Sequence, residues 1–158
     1  MPEADPACDH LRRDHRVIED HLDILLDALL NLAPARIPTI EAAVREIRRL
    51  SAVHFEKEER IFYPKLRPMA ADLLAALDLQ HEEVRELERQ VAGLLEEPVE
   101  DRGARWMNEL RSFGIEFHDR IQHHIVDEED HLFRLAGERL SRAEQESVAA
   151  AMELVGEG

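Results

Sequence analysis

The chain is poor in the residues that build anything other than helices. Glycine occurs six times and proline seven times in 158 residues, and Phe, Trp and Tyr together make up 4%. That is too little turn chemistry for a sandwich or barrel, and no segment alternates polar and apolar residues as a strand would. Cysteine occurs once, at Cys8, which excludes an internal disulfide and a thiolate zinc site. Close to what reads as a frayed end, Cys8 is expected to be an incidental thiol. No apolar run approaches the roughly 20 residues of a membrane span. The acidic opening MPEADPACDH lacks the apolar stretch of a signal peptide. Basic residues are scarce beside acidic ones, 20 against 35, giving a net charge of −15. Such a surface repels phosphate backbones and anionic lipid, so neither nucleic acid nor a membrane is an expected partner. The expectation is a soluble, cytoplasmic protein of one domain, residues 1–158.

Apolar residues make up 44% of the chain, enough for a core, and they recur with a helical period. Leu11, His15, Ile18, Leu22, Leu25, Leu29 and Leu32 form one stripe in steps of four and three. Pro34 and Pro38 end it, and Thr39 is a plausible N-cap for a second helix. That helix carries Ile40, Val44, Ile47, His54, Glu58 and Ile61, and Pro64 and Pro68 close or kink it. A third stripe runs through Leu77, His81, Val84, Leu87, Val91 and Leu94 and stops near Pro98. A fourth runs through Leu110, Phe113, Phe117, Ile121, His124, Glu128, Leu132 and Leu135, with Gly137 suited to its C-cap. Ser141 and Glu144 form a capping box for a short fifth helix, about 141–155. Four long helices with short connections predict an all-α, up-down-up-down four-helix bundle over about 8–137. A shift of 70 residues places His54, Glu58, Glu59 and Tyr63 on His124, Glu128, Glu129 and Phe133. The chain therefore reads as two copies of one helical hairpin.

The stripes contain a contradiction. His15, His54, Glu58, His81, His124 and Glu128 stand where the pattern demands apolar residues, and no Lys or Arg lies on these stripes to pair with the carboxylates. A lone ionised carboxylate in a core costs several kcal/mol, so it must find a partner. A bound cation would resolve the conflict. His and Glu four apart are separated by about 40° around a helix and about 6 Å along it, so both reach one spot. The HxxxE pattern occurs at His54–Glu58 and at His124–Glu128, at equivalent places in the repeat. The first hairpin is level: His15 lies 17 residues before Leu32, and the His54–Glu58 midpoint lies 17 past Thr39. The second is not, with 15 residues from His81 to Glu96 against 22 from Ala104 to the His124–Glu128 midpoint. Either the fourth helix overhangs by about two turns or its boundaries lie elsewhere. Four His and two Glu describe a two-metal site, with His15 and His54 on one ion, His81 and His124 on the other, and Glu58 and Glu128 bridging. Such ligands suit Fe, Mn or Zn rather than Ca or Mg, and carboxylate-bridged pairs in bundles are usually di-iron or di-manganese.

The segments DHRVIEDHL, HFEKEERIFYPKL, QHEEVRELE and HHIVDEEDHLF resemble the four helices of the hemerythrin-like (HHE cation-binding) proteins, over roughly residues 8–137. The resemblance implies an up-down bundle and a non-haem di-iron centre, oxo- or hydroxo-bridged, that meets O2, NO or peroxide, with a reductase as a further partner. His15, His54, Glu58, His81, His124 and Glu128 match its ligand positions. The oxygen carriers of the family have HxxxH in the third helix, where this chain has Arg85, and place the last carboxylate five residues after its His rather than four. The iron-sensing and iron-centre-repair branches are closer, although the repair proteins carry a cysteine-bearing N-terminal module absent here. Two functions follow as expectations: reaction with peroxide, O2 or NO in a stress response, or a non-catalytic module that binds, stores or senses O2 or iron. Mn or Zn could substitute for iron.

Other residues carry plainer expectations. Glu19 makes a third HxxxE with His15, and is read first as a solvated ion-pair member and second as an extra ligand or supporting partner. His131 lies two turns beyond His124 and is read as core edge or as a supporting partner of the ligands. His10, His21, His118 and His123 are read as surface or flank residues. Tyr63, nine residues from His54, falls on the opposite side of an ideal helix and is assigned to packing unless Pro64 rotates it. Within Asp127–Asp130, residues other than Glu128 are read as a solvated face.

Overall fold

A computed structural model describes residues 5–156. Helix α1 spans Pro6–Leu30 and α2 spans Ile37–Lys57. A π-helical turn, Glu58–Phe62, then leads without a break into α3, Tyr63–Leu66. Helix α4 spans Ala71–Glu96 and α5 spans Ala104–Asp127. A second π-helical turn, Glu128–Leu132, leads into α6, Phe133–Arg139. Helix α7, Arg142–Glu153, is closed at its start by the expected capping box: Ser141 Oγ accepts from the Glu144 N–H, and the Glu144 carboxylate accepts from the Ser141 N–H. No strand occurs among the described residues.

Three details differ from the sequence reading. Helix α1 starts five residues before Leu11, because Pro6 opens it at a position needing no donor. Cys8 therefore lies on a buried face, not in a frayed end. Thr39 lies inside α2, which starts at Ile37 directly from a 3₁₀ turn at Pro34–Arg36. Gly137 lies within α6 and caps nothing.

Cross-helix contacts fix the topology. Lys57 on α2 meets Asp14 on α1, Arg48 on α2 meets Glu88 on α4, and Arg120 on α5 meets Glu83 on α4. Leu29 on α1 packs so closely on Gly114 of α5 that a Cβ there would lie 2.7 Å from its side chain. In every adjacent pair, rising numbers meet falling ones, so the bundle runs up-down-up-down. The second hairpin's uneven arms arise at its turn. Opposite α4's last residues, the first turn of α5 projects past them beside the loop. There Trp106 Nε1 donates to Leu94 O at 2.7 Å, and Arg102 donates to Leu95 O and Glu97 O while lying over the Trp106 ring.

The core falls into two apolar clusters. One, at the end of the α1–α2 and α4–α5 connections, includes Leu22, Leu25, Ile40, Ile47, Val91, Leu110 and Phe117. The other, at the end carrying α3, α6 and α7, includes Cys8, Leu11, Phe62, Leu66, Leu74, Phe133 and Met152. Between them lies a layer of buried polar side chains: His15, His54, Glu58, His81, His124 and Glu128.

Candidate metal centre

Each long helical arm supplies one imidazole to this layer, and the two arms with π-turns each add a carboxylate. All six side chains are at most 2% exposed. The Nε2 atoms of His15 and His54 are 3.0 Å apart, and those of His81 and His124 are 3.1 Å apart. Glu58 Oε1 sits between the pairs, 3.4 Å from His54 Nε2 and 3.1 Å from His81 Nε2. Glu128 also spans them, with Oε1 3.2 Å from His15 Nε2 and Oε2 3.3 Å from His124 Nε2. Two four-residue groups result that could each hold an ion: His15, His54, Glu58 and Glu128, and Glu58, His81, His124 and Glu128.

The outward ring nitrogens explain why the inward ones have lone pairs available to a cation. His15 Nδ1 meets Glu129 Oε2 at 2.7 Å, His81 Nδ1 meets Glu59 Oε2 at 2.6 Å, and His54 Nδ1 meets Asp14 Oδ2 at 3.0 Å. His124 Nδ1 meets Gln80 Oε1 at 2.8 Å; that oxygen is the one facing it because Gln80 Nε2 donates to Asp127. Each Nδ1 therefore carries a hydrogen toward its acceptor, which turns each Nε2 lone pair inward. Four lone pairs and two carboxylates then converge with one hydroxyl hydrogen, that of Tyr63, among them. Glu58 Oε2 and Glu128 Oε1 have no hydrogen-bond partner. A buried cluster made of acceptors requires positive charge. Donors about 3 Å apart suit neighbours on one ion at bond lengths of about 2.0–2.2 Å. The residues fit a metal pair, and imidazole with carboxylate suits Fe, Mn or Zn.

Without metal, protons supply part of that charge. Burial works against charging His54, but the Glu58 charge, the Asp14 hydrogen bond and Glu128 outweigh it and lift its pKa to about 10. His124 is lifted to about 9 against burial, chiefly by Glu128 and then Glu58. Burial likewise opposes ionisation of Glu58, yet His54 and the other partners hold its carboxyl well below the usual range.

Tyr63 is the main residue the sequence reading misplaced. Its hydroxyl donates to Glu128 Oε2 at 2.5 Å and lies 3.2 Å from His81 Nε2. The cause is the π-turn rather than Pro64. The Tyr63 N–H bonds to Glu58 O, five residues back, so the turn absorbs one extra residue. Nine residues from His54 then rotate as eight would, ending about 80° away instead of opposite. The Phe133 N–H bonds to Glu128 O in the same way, with no proline after it. Phe133 stacks on the His15 ring at 5.6 Å, as Tyr63 does on His81 at 5.4 Å.

The remaining expectations divide. Glu129 and Glu59, half-buried, hold His15 and His81; the repeated double Glu was the available signal, read as a solvated face for Glu129. Glu19 pairs with Arg16 at 2.6 Å and stays outside the cluster. His131 is exposed, turned outward by the π-turn. His10 and His118 are buried rather than at the surface, His10 because α1 extends back to Pro6. His123 is exposed beside Asp127, and His21 is half-buried. Arg85, the departure in the third helix, donates to both oxygens of Glu59 at 3.0 and 2.8 Å and lies over Phe55.

No helix among the described residues is long and apolar enough to cross a membrane. A search of curated proteins returns no match. The profile of the hemerythrin HHE cation-binding domain matches residues 7–136, which contain the whole cluster and the arms that hold it, and the chain belongs to that family.

Proposed function

We propose that this cluster holds two iron ions, with His15 and His54 on one, His81 and His124 on the other, and Glu58 and Glu128 shared, and that the centre reacts with peroxide, O2 or NO. The observation that carries the reading is the engagement of Arg85. Its guanidinium is committed to Glu59 and cannot ligate a metal, so each ion has two imidazoles and shared carboxylates, which leaves positions for water or a small oxidant. Iron in such a site supplies one-electron redox chemistry and open coordination positions.

The protein's own part is to orient, shield and hold protons. Glu59, Glu129, Asp14 and Gln80 fix the four rings. Phe55, stacked on His81 at 3.9 Å, and Phe133, stacked on His15, shield the rings on opposite sides of the layer. Tyr63 holds a proton at its hydroxyl beside Glu128, and burial together with the Glu128 and Glu58 charges raises its pKa. The layer's full burial restricts access to small molecules, in keeping with diatomic gases and peroxide.

The test is the iron-to-protein ratio after iron-replete expression, with optical spectra before and after hydrogen peroxide. Two iron per chain and a spectrum that changes on stoichiometric peroxide support the reading. One zinc per chain, colourless and inert, would sink it.

A further inference from the structure

The two halves of the centre are built alike in shape and unlike in chemistry. The 70-residue repeat pairs Lys57 with Asp127, and the two helices that give the cluster a histidine but no carboxylate align His15 with His81, hence Asp14 with Gln80. In the first half, His54 Nδ1 donates to a carboxylate, Asp14 Oδ2, and the same oxygen accepts from Lys57 Nζ at 2.9 Å. In the second, His124 Nδ1 donates to an amide oxygen of Gln80, whose Nε2 donates to Asp127 at 2.8 Å. The other two imidazoles do not differ in this way: His15 and His81 each face a glutamate that also meets an arginine.

A hydrogen bond to a carboxylate is roughly twice as strong as one to a neutral acceptor. It makes the ring a better electron donor at Nε2 and holds its orientation more firmly. Lys57, one-tenth exposed, sets its ammonium 2.9 Å from Asp14 Oδ2 and so fixes that oxygen against the His54 ring. Asp127, 30% exposed against 27% for Asp14, reaches the second ring only through the Gln80 amide, so its distance from the ring and not its exposure separates the halves. A second observation points the same way. Tyr63 places its hydroxyl hydrogen on Glu128 Oε2, the oxygen facing His124, while Oε1, facing His15, has no hydrogen-bond partner. The carboxylate's donor strength is thus reduced on the second side.

We infer that the two metal positions are inequivalent, the His15–His54 position binding a divalent ion more tightly than the His81–His124 position, and that Asp14 and Gln80 are the positioning residues that set the difference. This rests on the two-ion reading above.

The test loads the full chain with Co2+ and removes it with a competing chelator, following the visible absorption of the bound ion. The native protein should lose its two ions in two steps at least about tenfold apart in chelator concentration. Asp14→Asn should weaken the ion lost last by about ten- to a hundredfold, the range for such partners, and bring the steps together. The double change Gln80→Glu with Asp127→Lys copies the first half's chemistry into the second and should tighten the ion lost first. That gain decides the matter even if Asp14→Asn fails to fold. Loss of both ions in one step, or weakening by Asp14→Asn of the first-lost ion alone, overturns the inference while leaving the two-ion reading intact. A native chain that binds a single Co2+ overturns both.

Discussion

Tyr63 and Glu128 lie 65 residues apart in sequence and meet at 2.5 Å in the centre of the bundle, the phenol donating to the carboxylate. At the repeat-equivalent position the chain has Phe133, which makes the same stack on an imidazole without a hydroxyl. Tyr63→Phe should therefore fold. It removes the one hydroxyl hydrogen in the cluster and leaves Glu128 Oε2 without that donor. The metal-free protein should lose about 1–3 kcal/mol, the usual result of orphaning a buried acceptor. Urea unfolding of the metal-free variant checks this, and an unchanged midpoint would show that the contact contributes nothing.

The six cluster residues were legible because each interrupts an apolar stripe, a signal that needs only a helical period. Tyr63 was not, because the stripe argument assumes about 100° per residue and a π-turn breaks that count without changing composition. Asp14, Gln80 and Glu129 were hidden for another reason. They lie one residue to the side of the buried stripe, where charged residues usually face solvent, and only their contact with a ring nitrogen distinguishes them. Glu59 and Glu129 recur in both copies after the HxxxE pattern, and that doubling was the part of the supporting set a reader could have seen.

Because the π-turn holds one surplus residue, it can be removed. Arg60 is exposed and pairs with Glu56, on the outside of that turn. Deleting it should leave a regular α-helix with His54, Glu58 and Tyr63 still inward, and metal content should persist. Inserting an alanine at the same place should turn Tyr63 and Phe62 away and lower both stability and metal content. Far-ultraviolet dichroism with metal analysis compares the two, and equal loss in both variants would refute the surplus-residue account.

The metal-free protein should lose stability as pH rises. His54 and His124 have folded pKa values of about 10 and about 9, above the ordinary 6.5. Their contribution is fully present below about 6.5 and is lost as pH climbs through 9 to 10. Glu58, depressed, adds the opposite edge: its contribution is present above its ordinary value of 4.5 and lost as pH falls through the lower folded value. Metal needs neutral imidazoles, so binding releases protons and strengthens as pH rises. At about a thousandfold excess over Kd, one ion adds about 4 kcal/mol, or about 10 °C in a domain of this size. The gap between metal-loaded and metal-free melting temperatures should therefore widen between pH 6.5 and 9. A gap that narrows would contradict the assignment of these rings.

Cys8 should be inert in the folded protein. It is wholly buried, its Sγ lies 3.8 Å from Phe133 O, and burial pushes its pKa up to about 12. Thiolate is the reactive form, so iodoacetamide at pH 8 should label it orders of magnitude more slowly than in denaturant. Fast labelling would place the start of α1 outside the core for much of the time. Cys8→Ser should leave metal content unchanged and cost about 1–3 kcal/mol, since it buries a hydroxyl in an apolar cluster.

The reaction with O2 turns on Arg85 and Glu59. A reversible carrier needs one iron closed by protein ligands and one open position on the other, so that O2 binds at a single iron and leaves intact. Here the residue one turn past His81 is tied to Glu59, which in turn holds the His81 ring. On the proposed two-iron reading both ions would keep room, and a ligand able to reach both would favour electron transfer over release. Diferrous protein mixed with O2 should oxidise rapidly to the diferric form, and should also react with NO and hydrogen peroxide. Arg85→His would place an imidazole where Arg85 now stands, and by closing one iron it should slow that oxidation. Stopped-flow spectra of both proteins decide the point. A stable oxygenated spectrum in the native protein that returns to the deoxy form under argon would mean that one ion is closed by a further protein group despite Arg85, and would overturn this prediction.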